Sequence, residues 1–224
     1  MNLKDKIIDF LGDSMTEGVG VVDKVNNRYD NVLKANCGLA ATYNYGISGS
    51  RFAHQRTPSA NPRFDLCFCG RVYDLDKSAD IVIVFGGVND YSHGDAPIGQ
   101  MGDTTPATFC GAVYFLMNYL RKIHAGKTIV FMSPARFFYE GMDGSKPSFR
   151  SMKQPDALPI LGYIEIIKKT AKQFDIPVLD LFEKLGIDPA NPTDKETYTA
   201  DGLHLNDAGH RRLAACLQTF LEEL

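Results

Sequence analysis

The stretch Asp80-Ile81-Val82-Ile83-Val84-Phe85, running into Gly86-Gly87-Val88-Asn89-Asp90, decides how the chain folds. Its apolar residues are continuous, with no polar face, which suits a strand buried on both sides better than an amphipathic edge strand. Four other short apolar runs end, like this one, in turn signals and also read as strands: 7–11, 41–45, 128–132 and 178–181. Helical spacing fills the intervals over 29–36, 106–124, 155–174 and 207–221.

Strands that alternate with helices argue for an α/β fold, with a mainly parallel sheet of five strands covered on both faces. The expectation is a three-layer α/β/α sandwich in one domain spanning 1–224, since no repeat or linker divides the chain. Sheets of this kind bind ligands just beyond the carboxyl ends of their strands, so the residues after each apolar run are the ones that matter. Three long connections, 49–79, 89–105 and 133–154, read as surface loops, which either shape a site or are insertions without one.

With 224 residues, 44% apolar and 23% charged, the composition is that of an ordinary globular protein. A net charge of −3 and the lack of any lysine or arginine run argue against nucleic acid as a partner. Five scattered cysteines show no zinc-ligand spacing and read as reduced thiols of a cytoplasmic protein. Cys67 and Cys69 would share a face if their segment were a strand. The apolar run after Lys6 is too short for a signal-peptide core, and no segment reaches membrane-spanning length.

Four segments at strand ends carry the chemistry. Gly12-Asp13-Ser14-Met15-Thr16-Glu17-Gly18 puts a serine in the first turn after a strand, although Thr16 stands where a nucleophile elbow would need glycine. That serine could be a nucleophile, a helix cap, or part of a phosphate cradle. Asn44-Tyr45-Gly46-Ile47-Ser48-Gly49-Ser50 offers a backbone N–H at a glycine, or merely a tight turn. Asn89 brings an amide that could donate to an oxyanion, and Asp90 could cap a helix or hold the loop. Asp201-Gly202-Leu203-His204 places a carboxylate and an imidazole on one turn, where the first fixes the tautomer of the second and stabilises its charged form. Asn206 or Asp207 then caps the last helix.

In this order the four segments resemble the motif blocks of the GDSL, or SGNH, hydrolase superfamily, over nearly the whole chain. Gly12-Asp13-Ser14 matches the nucleophile block, Gly49 the glycine block, Gly87-Val88-Asn89-Asp90 the asparagine block, and Asp201 to His204 the D-x-x-H block. Met15 replaces the leucine of the family name, an apolar change of similar volume. The resemblance implies a flavodoxin-like sheet, no metal or other cofactor, and hydrolysis of esters or thioesters through an acyl-enzyme. Ser14 would be the nucleophile, His204 the base and Asp201 its partner. The backbone N–H groups of Ser14 and Gly49 and the Asn89 amide would form the oxyanion hole.

His93 is the competing base, because it follows the Asn89 loop, whereas His124 and His210 read as packing or surface residues. Asp13 and Asp90 read as loop organisers, with nothing in the sequence to suggest raised pKa values. Arg51, His54 and Arg136 follow strand ends and are candidates to meet a polar, sugar-like leaving group. The expected substrate is a small-molecule ester such as an acetylated sugar. The rival readings are a flavodoxin-like module that binds a phosphate or nucleotide without cleaving it, and an inactive homologue that serves as an interaction domain.

Overall fold

A computed structural model describes residues 1–138, 144–146 and 154–224. Five strands, β1 (Ile7–Gly12), β2 (Ala41–Gly46), β3 (Ile81–Phe85), β4 (Thr128–Met132) and β5 (Val178–Leu179), form one sheet of order β2-β1-β3-β4-β5. Every pairing is parallel, with Phe10 set against Asn44 on one side and Ile83 on the other. This is the flavodoxin-like order, and it reverses between β1 and β3, where such folds open a crevice at the strand ends.

The helices are α1 (Ser14–Glu17), α2 (Lys24–Asn27), α3 (Tyr29–Cys37), α4 (Phe68–Arg71), α5 (Val88–His93), α6 (Phe109–Ile123), α7 (Ile160–Gln173), α8 (Leu181–Lys184), α9 (Pro192–Tyr198) and α10 (Asp207–Glu223). Along β3 the side chains alternate between two cores, as the strand period requires. Val82 and Val84 pack with Phe109 and Leu116 of α6 and Ile164 and Ile167 of α7. Ile81, Ile83 and Phe85 pack with Tyr29 and Leu33 of α3 and Leu213, Leu217 and Leu221 of α10. Both faces are apolar and both are covered, which explains the uninterrupted run in the sequence.

Caps set the helix boundaries more narrowly than spacing suggested. The Thr108 side chain accepts from Gly111 N–H, so α6 starts at Phe109 and not at Pro106. Pro159 lies in extended backbone before α7, leaving 155–159 outside the helix. Asn206 caps α10, while Asp207 ties down 22–27 by accepting from Val22 N–H and the Asn27 amide.

The connection 49–79 is not the surface loop the sequence suggested. It contains α4 between the 3-10 turns Pro62–Asp65 and Val72–Asp74, and it buries Phe52, Ala53, Phe68, Cys69 and Val72. Its turns are too short to show periodicity, yet they cover the sheet. The connection 89–105 likewise opens inside α5, where Tyr91 is buried, and much of 133–154 lies outside the described residues. Cys67 and Cys69 are not on a strand: Cys67 caps α4 by accepting from Gly70 N–H, and both are free thiols.

Candidate active site

At the end of β1 the chain turns within one residue. A Cβ on Gly12 would lie 1.9 Å from Thr16 Oγ1, so only glycine lets α1 fold back this closely. Asp13 Oδ1 accepts from Met15 N–H at 3.0 Å and caps the turn. Ser14 is therefore the first residue of a one-turn helix, and its own N–H has no intrahelical acceptor. Behind it, the buried guanidinium of Arg71 donates to Gly12 O at 3.0 Å, Tyr45 O at 2.6 Å, Leu66 O at 3.0 Å and Ser50 Oγ at 2.8 Å. It fastens the ends of β1 and β2 to the 50–66 segment. Burial lowers the Arg71 pKa to about 10, which leaves it charged at neutral pH. Nothing local in the sequence marks this arginine, because three of its four partners lie more than 20 residues away.

The opposite wall is a small hairpin before α10. A bridge between Thr199 and Leu205, with Ala200 N–H donating to His204 O at 2.8 Å, closes the turn. Asp201 Oδ1 accepts from the N–H groups of Leu203 at 2.9 Å and His204 at 2.7 Å, and Oδ2 meets His204 Nδ1 at 2.7 Å. Partial burial pushes the Asp201 pKa upward, but the hydrogen bonds from the His204 ring and from the two N–H groups outweigh it and hold the carboxyl below its ordinary range. Gly202 has φ +88°, and a Cβ there would lie 2.0 Å from Phe138 O, so no other residue fits.

The two walls meet where His204 Nε2 lies 3.0 Å from Ser14 Oγ. With Nδ1–H donating to Asp201 Oδ2, Nε2 is the ring nitrogen that faces the serine hydroxyl.

Two further segments complete the rim. Gly49, at φ +77°, would place a Cβ 2.8 Å from the Phe64 ring. Asn89 Nδ2 donates to Ser50 O at 3.0 Å and, more loosely, to Asp13 Oδ2 at 3.3 Å, while its Oδ1 meets His93 Nε2 at 2.9 Å. Asp90 accepts from the N–H groups of Phe52 at 2.9 Å and Ala53 at 3.1 Å. Asp13 and Asp90 thus hold loops, but burial raises them to about 7 and about 6, a perturbation the sequence did not reveal.

A cleft of about 470 Å³ is lined by Ser14, Gly49, Arg51, Asn89, His93 and His204, with Ser48, Ser59, Phe64, Ser92 and Leu203 around them. Arg51 is buried, with Nη2 donating to Phe64 O at 2.7 Å and lying 3.3 Å from Asp65 Oδ1. The other two expected leaving-group contacts do not line this cleft. His54 is exposed, with its N–H on Pro106 O. Arg136 lies over the Phe182 ring at 4.4 Å and donates to Phe182 O, on the edge of a separate hollow of about 10 Å³. A groove of about 450 Å³ between α8 and α10 has none of these residues in its lining.

His124 is buried at the end of α6. His210 is buried too and accepts from Tyr29 N–H, and burial lowers its pKa to about 4. Among the described residues no group of His, Cys, Asp or Glu side chains is placed to hold a metal ion, and no helix is long and apolar enough to cross a membrane.

The sequence profile of the GDSL-like lipase/acylhydrolase family matches residues 10–212. The chain belongs to this family. The match takes in both walls of the cleft, and it makes an ester or acyl bond the kind of bond such a site hydrolyses. Among solved structures, one chain is 28% identical with a TM-score of 0.86, covering 100% of this GDSL-like protein and 99% of its own length. A protein from Lactobacillus plantarum is 30% identical over 98% of both chains, with a TM-score of 0.80. A carbohydrate acetylesterase family member from Sinorhizobium meliloti is similar in fold, with a TM-score of 0.64 at 16% identity over 97% of this chain and 98% of that one. No curated protein sequence matches the chain.

Proposed function

We propose that the protein is a serine-dependent carboxylic ester hydrolase acting through an acyl-enzyme. The observation that carries this reading is the 3.0 Å approach of His204 Nε2 to Ser14 Oγ, with Asp201 behind the ring. His204 takes the hydroxyl proton as Ser14 Oγ attacks the acyl carbonyl, and Asp201 stabilises the imidazolium that results. The imidazolium then gives its proton to the departing alkoxide. Water, deprotonated by the same ring, releases the acid.

The tetrahedral oxyanion is received by the N–H groups of Ser14 and Gly49 and by the Asn89 amide, which gives up its long contact to Asp13. The hydroxyls of Ser48, Ser59 and Ser92 give the cleft a polar lining that suits a hydroxylated alcohol such as a sugar. The acyl part of this reading is a small group such as acetyl, the acyl group named for the carbohydrate acetylesterase family member of similar fold. A non-catalytic phosphate module would leave the Asp201–His204–Ser14 alignment without a use.

The test is a panel of p-nitrophenyl esters and acetylated sugars, run on the native protein and on Ser14→Ala. Acetyl esters should turn over fastest, and Ser14→Ala should lose at least about 10⁴-fold in kcat. Turnover that survives in Ser14→Ala removes the nucleophile, and activity confined to long acyl chains removes the substrate class.

A further inference from the structure

We propose that Arg51 and His93 form a hydrogen-bonded relay that fixes and polarises the Asn89 amide, which makes both of them positioning residues for ester hydrolysis. This inference rests on the reaction proposed above, in which Asn89 serves the oxyanion.

The relay follows from which atoms can donate. Arg51 Nη1 lies 2.9 Å from His93 Nδ1, and a guanidinium has no acceptor, so Nδ1 carries a lone pair and the single ring proton sits on Nε2. That proton points at Asn89 Oδ1, 2.9 Å away. On the far side of the amide stand two acceptors, Ser50 O at 3.0 Å and Asp13 Oδ2 at 3.3 Å.

Every partner therefore selects the same orientation of Asn89, with the oxygen towards His93 and the nitrogen towards the Ser14 turn. Reversing the amide would set its oxygen against a carbonyl and a carboxyl, and its N–H groups against the His93 N–H. Without His93 only one side of this selection is left.

Arg51 adds charge to orientation. It is 4% exposed, and its Nε is buried without a partner among the described residues while both Nη groups are bonded. The guanidinium thus sits where it reaches His93 and the 59–65 segment, at the expense of its own Nε. Hydrogen bonds in series strengthen one another by roughly 10–30% each, so a cation at the head of the chain makes the last N–H, that of Asn89, a stronger donor. The part of the cleft that stabilises charge is therefore two residues deeper than the oxyanion contacts themselves, and the base on the opposite wall plays no part in it.

The experiment compares His93→Phe, which keeps a ring and removes the donor, with His93→Gln, which restores an amide donor, in the native and Asn89→Ala backgrounds. His93→Met replaces the Phe variant if the ring unsettles packing. Two quantities are read on the full-length protein: the second-order rate of labelling by a fluorophosphonate, which needs no natural substrate, and kcat and KM for p-nitrophenyl acetate.

Removing a whole oxyanion donor costs about 10²- to 10³-fold, so weakening one should slow labelling and lower kcat about tenfold, with KM within about twofold. His93→Gln should recover most of that loss. In the Asn89→Ala background His93→Phe should change either rate by less than about twofold, because the group it acts through is gone. The same loss in both backgrounds, or a change in KM with kcat intact, overturns the relay in favour of packing or direct substrate contact. Labelling of Ser14→Ala at the native rate would instead remove the parent reaction, whatever His93 does.

Discussion

The Ser14 wall of the cleft is built into the sheet, whereas the His204 wall is a hairpin that holds its own shape. Ser14 is 4% exposed, and its turn hangs on strand ends that Arg71 fastens from behind. Across the cleft, the His204 side chain is 20% exposed and that of Asp201 is 52% exposed, and their contacts run mainly within 199–205. The proposed nucleophile and its neighbouring donors thus depend on the core for their positions. The proposed base depends on one turn and one glycine. Damage to the first wall should appear as lost stability, and damage to the second as lost activity in a folded protein.

The sharpest break of that comparison is Asp201→Asn. It removes the acceptor that holds the His204 tautomer, so kcat should fall about 10²- to 10⁴-fold. Because the carboxyl is half exposed and its contacts are local, the melting temperature should stay within about 2 °C of the native value. Calorimetry together with ester kinetics checks both halves, and a large fall in melting temperature would show that the hairpin is part of the core after all.

Arg71→Met should do the reverse. It strips donors from two buried and two partly buried acceptors, at a cost of about 3 kcal/mol, or a fall of about 10 °C in melting temperature. Denaturant unfolding measures it, and an unchanged midpoint would mean that the Ser14 wall stands without its clamp.

A third test concerns Asp9, which lies in the middle of β1 with one oxygen bonded to Asp76 N–H and the other without a partner among the described residues. Burial raises its pKa to about 7. A carboxyl raised in the folded state binds its proton more tightly there than in the unfolded chain, so its contribution to stability is present below about pH 4 and is lost as pH rises towards 7. Asp9→Asn should gain on the native protein over that window, by no more than about 1.4 kcal/mol per pH unit. Unfolding at pH 5 and pH 8 gives the difference, and a gap that does not widen with pH excludes the ionisation.

The sheet was legible because burial on both faces leaves uninterrupted apolar runs, and 81–85 and 128–132 match β3 and β4 in full. At β5 the run outlasts the strand: Leu181 is apolar because α8 buries it, not because the strand continues. In the site, Asp201 and His204 were readable together because three residues of sequence become one turn. Arg51 was expected near a leaving group and lines the cleft, but its bonds to His93 and Asp65 are invisible in the sequence. His54 and Arg136 show the same limit from the other side, since following a strand end says nothing about where a long side chain points. Asp13 and Asp90 look like ordinary turn residues until the 49–79 segment folds over them and removes water.

Ser14 and His204 are 190 positions apart, and the imidazole precedes a helix that docks on α3, where His210 accepts from Tyr29 N–H. In a chain made from its N-terminus, Ser14, Gly49 and Asn89 leave the ribosome long before the proposed base His204 can reach them. The hydroxyl therefore stays chemically silent until α10 has packed, and the onset of acyl transfer would mark the end of folding.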